Sequence, residues 1–109
     1  MPPPTSLMSQ ATADVDAARA AGARDHAPLE LGFALKKLDL AQSAMGQEEY
    51  EQATRLAQES QANSNLARVK SQLARLRDKI DKQGAENARM RSKLDDNEQG
   101  AGKASGGGA

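Results

Sequence analysis

Apolar side chains recur every three or four residues along most of this chain, with polar residues filling the positions between. That period belongs to helices that each bury one stripe. The longest such stretch runs from about Gln47 to about Asn97, holds no Pro, and has Gly84 as its one internal Gly. Its second half carries Leu66, Val69, Leu73, Leu76, Ile80, Gln83, Asn87, Met90 and Leu94. The spacings alternate three and four without a slip. This is the a/d seam of a heptad repeat, which a helix buries against another helix.

The earlier part of the chain reads as two shorter helices. Pro2, Pro3 and Pro4 hold the start extended. Thr5 or Ser6 then offers an N-cap oxygen. A first helix is expected over about 6–21, with Leu7/Met8, Ala11, Val15, Ala18 and Gly22 as its stripe and Asp14, Asp16 and Arg19 outside. A turn is expected from Gly22 to Pro28. Gly22 can take the left-handed C-cap conformation, Pro28 suits a first helical position, and Asp25 stands upstream as a cap. A second helix is expected over about 28–45, with Leu31, Phe33/Ala34, Leu35, Leu38, Ala41 and Met45 inward and Leu29 and Leu40 broadening the stripe. So apolar a helix should lie between two partners, and Gly46 should end it.

The connection after Gly46 is too short for anything but an antiparallel return. The third helix opens with Glu48, Glu49 and Glu51, carboxylates suited to a positive helix N-terminus. Its stripe of Tyr50, Ala53, Leu56/Ala57 and Ser60 passes through Ala62 and meets the Leu66 seam with a change of phase. The phase change reads as a change of partner. At 1.5 Å per residue the first two helices span about 25 Å each and the third about 75 Å, so its end should overhang them. The expected fold is therefore all-α: an extended segment 1–5, a small antiparallel three-helix bundle over 6–65 whose third helix covers 47–65, a coiled-coil extension over 66–97, and a flexible Gly/Ala/Ser tail or linker over 98–109.

Composition narrows the function classes. The 109 residues include only Phe33 and Tyr50 as aromatics, and Ala and Leu dominate the apolar set. That suits slim helices packed closely side by side. Scarce β-branched residues argue against strands. Net charge is zero, so general polyanion binding is not indicated. With no Cys there is no disulfide, thiol catalysis or Cys-based metal site, and the redox compartment stays undecided. No run of about 18 apolar residues is long enough to span a bilayer. No signal peptide is visible, and the Met1-Pro2-Pro3-Pro4 start reads as a mature or shortened N-terminus.

Candidate chemistry is thin. His26 is the single His, beside Arg24 and Asp25, with neither a second ligand for a metal nor a nucleophile near it in sequence. It reads as a solvated turn residue. The acids at Glu48, Glu49 and Glu51 are explained by the helix end, and Tyr50 by packing at the bottom of the bundle. The terminal Gly run has no following helix to make a phosphate loop. No enzyme, cofactor or metal is expected. Between Leu66 and Leu94 stand nine Lys/Arg and three Asp/Glu. No aromatic is interleaved for base stacking, so a solvated flank is favoured over nucleic acid.

The seam is the feature that asks for a partner. Two parallel copies would face Gln72 with Arg77, Lys79 with Gly84, and Glu86 with Arg91. None of these repels, and Asn87 at an a position can fix register. A parallel homo-oligomer is the leading reading. Pairing with another protein's helix, antiparallel pairing and a solitary helix remain open.

Ala27-Pro28-Leu29-Glu30-Leu31, Ala34, Leu38 and Ala41, followed by Glu49-Tyr50-Glu51-Gln52-Ala53 and Leu56-Ala57, form a pattern over roughly Thr5 to Leu76. It resembles the Ala-rich, tetratricopeptide-like helical family of Gram-negative envelope lipoproteins that carry the domain of unknown function DUF4398. The resemblance implies a non-catalytic structural protein at the periplasmic side of the outer membrane. It also implies a lipid-bearing Cys near the mature N-terminus, which this chain lacks, consistent with a start just after the anchor. Some members carry a C-terminal OmpA-like domain, so the tail would be a linker toward peptidoglycan binding. The resemblance carries over no functional residue.

Overall fold

The computed structural model describes residues 1–107, with side chains described through residue 98. Among the described residues four helices succeed one another: α1 (Thr5–Ala20), α2 (Ala23–His26), α3 (Pro28–Gly46) and α4 (Tyr50–Gly107). No strand occurs among the described residues. The fold is all-α. The chain divides into two compact units, Met1–Arg75 and Leu76–Ala109.

The first unit is a three-helix bundle with α2 tucked into its turn. Lys37 pairs with Glu59 and Glu30 with Lys70, so α3 and α4 run antiparallel. Gln61 donates to Asp14 and Arg75 to the Ala20 carbonyl, so α1 and α4 run parallel. The core consists mostly of alanine: Ala11, Ala18, Ala23, Ala34, Ala41, Ala53, Ala57 and Ala67 are fully buried, with Val15, Leu31, Leu38 and Leu56 adding bulk. Small side chains let the helix axes come close, and the stabilisation comes from many short contacts rather than from large buried areas.

The helix ends differ from the sequence expectation. Neither Thr5 nor Ser6 caps α1. Pro4 holds the N-cap position, and its carbonyl accepts the Met8 amide at 3.0 Å. Proline's restricted φ already suits a helix entry, so Thr5 can be helical from the start. Gly22 does take the left-handed conformation, at φ 97°. The chain beyond it forms the one-turn helix α2 rather than an open turn. Ala23 and Ala27 are buried at the two ends of that helix, which ties the turn to the core. Asp25 makes no cap. Ala27 is the N-cap of α3, and Pro28 is its first residue.

A second glycine expectation fails for a similar reason. Gly46 is still helical, and the reversal uses Glu48 at φ 61°, an unusual conformation for a residue with a Cβ. The amides of Gln47, Glu48 and Glu49 donate to Ser43, Met45 and Ala44, satisfying the open carbonyls at the end of α3. Glu49 in turn accepts the Ala53 amide and so starts α4. Glu48 and Glu49 therefore precede the helix, and only Glu51 lies in its first turn.

Two larger corrections concern α3 and α4. Leu29, Phe33 and Leu40 do not broaden the core; they are exposed, and the inward face of α3 is Leu31, Ala34, Leu38, Ala41 and Ala44. On α4 the buried line does not pass through Ala62, which is exposed, nor stop near residue 65. It continues in phase through Ser60, Ser64, Ala67 and Ser71. Arg75 closes this unit at its upper end. Its guanidinium donates to the Ala20 carbonyl at 3.2 Å and lies 2.8 Å from where a Cβ on Gly22 would sit, too close for one. A cation at the C-terminus of α1 also opposes that helix's negative end. The α4 helix runs on to Gly107, past the expected end near Asn97 and into the stretch expected as a flexible linker over 98–109; no Pro stands there to stop it. Gly108 and Ala109 fall outside the described residues.

Candidate protein-interaction site

In the first unit α4 has two faces of different chemistry. The line Ala53, Ala57, Ser60, Ser64, Ala67 and Ser71 is buried, and Leu66, Val69 and Leu73 are 48%, 51% and 45% exposed. At 3.6 residues per turn the two lines lie on roughly opposite sides of the helix. The exposed leucines are thus not spare core residues awaiting α1 or α3. They point away from the bundle that the small residues make.

The three buried hydroxyls differ in their partners. Ser60 Oγ donates to the Ala34 carbonyl at 2.7 Å, a bond between α4 and α3 that needs the two backbones close together. Ser71 Oγ donates to the Ala67 carbonyl within α4. Ser64 Oγ is buried with no hydrogen-bond partner among the described residues. Such a group costs roughly 1–3 kcal/mol of desolvation. Ser64→Ala is accordingly expected to raise stability by about 1 kcal/mol, or about 4–8 °C in Tm. Thermal unfolding of the full chain checks this, and a lower Tm would show that the hydroxyl is solvated.

Two ion pairs join the flanks of α3 and α4. Lys37 Nζ lies 2.6 Å from Glu59 Oε2, and Lys70 is hydrogen-bonded to Glu30. Both carboxyls are held below the usual glutamate range, Glu30 chiefly by the hydrogen bond from Lys70 and Glu59 chiefly by that from Lys37. A carboxyl whose pKa is lowered on folding adds stability above its unfolded pKa and loses it as pH falls through the folded value. The bundle should therefore weaken as pH drops below about 4. Glu30→Gln with Glu59→Gln should flatten that part of a Tm-against-pH curve. An unchanged slope would mean that neither pair contributes.

In the second unit the remaining seam side chains are likewise uncovered. Leu76, Ile80, Met90 and Leu94 are between 51% and 62% exposed, and Gln83 and Asn87 are exposed with them. Every seam residue named from the sequence is thus on the surface of the single chain. Among the described residues no group of three His, Cys, Asp or Glu could hold a metal ion. His26 is exposed on α2. No described helix is long and apolar enough to cross a membrane.

Residues 6–83 match the family described as a domain of unknown function, DUF4398. The chain belongs to this family. The DUF4398 match takes in α1, α2, α3 and the seam from Leu66 to Gln83; Asn87, Met90 and Leu94 lie beyond it. No curated protein and no solved structure matches the chain. The DUF4398 region thus holds both the small-residue core and the first six seam positions.

Sequence reasoning missed two features that the site depends on. One is the outward position of Leu29, Phe33 and Leu40. The other is the in-phase small-residue line through Ser64, Ala67 and Ser71. The signal for the second was present: these residues come after Ser60 at the same three-and-four spacing, but serine and alanine do not register as a stripe when hydrophobicity alone is read.

Proposed function

We propose that this DUF4398 protein is a non-catalytic scaffold, a helical spacer of the bacterial cell envelope that self-associates in parallel through the seam on α4. One observation carries the reading. Seven of nine positions on one three-and-four spaced line are large apolar side chains, Leu66, Val69, Leu73, Leu76, Ile80, Met90 and Leu94, each about half exposed, with Gln83 and Asn87 at the other two. Single exposed leucines are ordinary on a protein surface, but a periodic line of them marks a place where another surface belongs.

The charges beside the seam favour a second copy in parallel. In register, Glu86 meets Arg91 of the partner subunit, Gln72 meets an arginine and Lys79 meets a glycine, so no like charges face each other. An antiparallel pair centred on Asp78 would set Arg77 against Lys79 of the partner subunit, cation against cation. Asn87, at an a position, pairs with itself across a parallel interface and penalises other registers. Gln83 and Asn87 together weaken the upper part, so moderate rather than extreme affinity is expected.

Sedimentation equilibrium of the full chain, read beside its helicity, tests the self-association. A concentration-dependent dimer or small oligomer is the expected result. A monomer at high concentration with residues 66–94 fully helical would overturn it. The envelope setting is supported by the resemblance to envelope lipoproteins. Fractionation of the native host tests that part separately, and recovery of the protein in the cytosol would remove it.

A further inference from the structure

We propose that self-association also engages the three-helix unit itself, through an apolar patch shared by α3 and α4 whose occupant is the same patch of a second copy. This inference rests on the seam being a self-association surface. The patch consists of Leu29 and Phe33 on α3 with Leu66, Val69 and Leu73 on α4, which are between 45% and 64% exposed. Phe33 stands out for two reasons: it is one of two aromatic residues in the chain, and it is 49% exposed on the helix with the most apolar composition.

The register between the helices places these residues together. Lys37 pairs with Glu59, Ser60 with the Ala34 carbonyl, and Glu30 with Lys70. Phe33 stands one turn from both Glu30 and Lys37. In an antiparallel pair set this way, it falls at the level of Asn63 and Leu66. Leu29, one turn earlier, falls at the level of Ala67 to Ser71, between Leu66 and Leu73. The two α3 residues thus extend the seam sideways, within the first unit, instead of forming a separate patch elsewhere.

Charge and area both favour a second copy as the occupant. Glu30 and Glu59 are already matched by Lys70 and Lys37 within the chain, so these four charges beside the patch are closed pairs that add no repulsion between identical surfaces. The area is also sufficient. At roughly 100 Å² of uncovered apolar surface per side chain, five on each copy supply about 1,000 Å² per pair, the lower bound for a specific interface. A parallel seam beginning at Leu66 brings these same surfaces side by side about one twofold axis, as an isologous contact requires.

The test measures the dissociation constant of the full chain by sedimentation, for the parent, Phe33→Asp and Leu29→Asp. Each variant should weaken self-association by about tenfold or more while keeping parental helicity, since neither residue is in the core. If both variants associate like the parent, the patch is not part of the interface and the inference fails, while the seam reading stands. If the parent itself stays monomeric, the seam reading and this inference fail together. Should either aspartate variant lose helicity, Phe33→Ser and Leu29→Ser replace them, and the same comparison decides.

Discussion

Replacing Ala34 with leucine should lower the melting temperature by about 10–20 °C, the result of an overpacking cost of about 2–3 kcal/mol in a small domain. Ala34 is fully buried, and its own carbonyl accepts the Ser60 hydroxyl at 2.7 Å. The α3 and α4 backbones are therefore too close for three added carbons. A leucine at this fully buried position must push the helices apart or shift the backbone near Ser60. Separation would break the Ser60 bond and strip contacts from the alanines on both sides. A domain of this size holds only a few kcal/mol of net stability, so the effect is a large share of the whole. The exposed Gln42→Leu is the matched control, adding apolar volume on the same helix outside the core. Equal melting of the two variants would show that α3 and α4 are less tightly apposed than the Ser60 bond requires.

Ile80→Glu should weaken self-association by about 100-fold or more, equivalent to about 2.7 kcal/mol, without changing the unfolding of the three-helix unit. Ile80 is the β-branched residue at the middle of the seam and is 56% exposed in the single chain. In a parallel pair the substitution would set two carboxylates against each other in a desolvated layer. In the single chain it removes an apolar group from water, which costs nothing. A lost oligomer beside an unchanged monomer separates an interface effect from a folding effect. Sedimentation and circular dichroism on the same sample read both quantities, and an undiminished oligomer would move the interface away from this position.

The helices and the seam are legible in the sequence because both depend on large apolar residues at helical spacing. Leu31, Leu38 and Leu56 mark faces that are indeed buried, and Leu66 to Leu94 mark a line that the other helices leave uncovered. Legibility ends where side-chain size misleads. Phe33 and Leu29 look like core residues because they are apolar, but alanine-lined helices lie too close together to admit them. Ser64 and Ser71 look like surface residues because they are polar, although small volume is the property that this core selects. The turn at Glu48 is hidden for a different reason. Its left-handed backbone is set by the three-residue reversal between α3 and α4, and the neighbouring Gly46, the obvious candidate for that conformation, stays helical.

The two-sidedness of α4 has a consequence for how such a chain can change over generations. Substitutions on the Ser60–Ser71 line are filtered by volume, because they must leave room for α1 and α3. Substitutions at Leu66, Val69 and Leu73 are filtered only by what lies across the seam. Residues on opposite sides of a helix share few neighbours, so their effects should be nearly additive. The outer line can then drift toward a different register, copy number or partner while the inner line keeps the domain folded. One helix would inherit its stability and its sociability as separate traits.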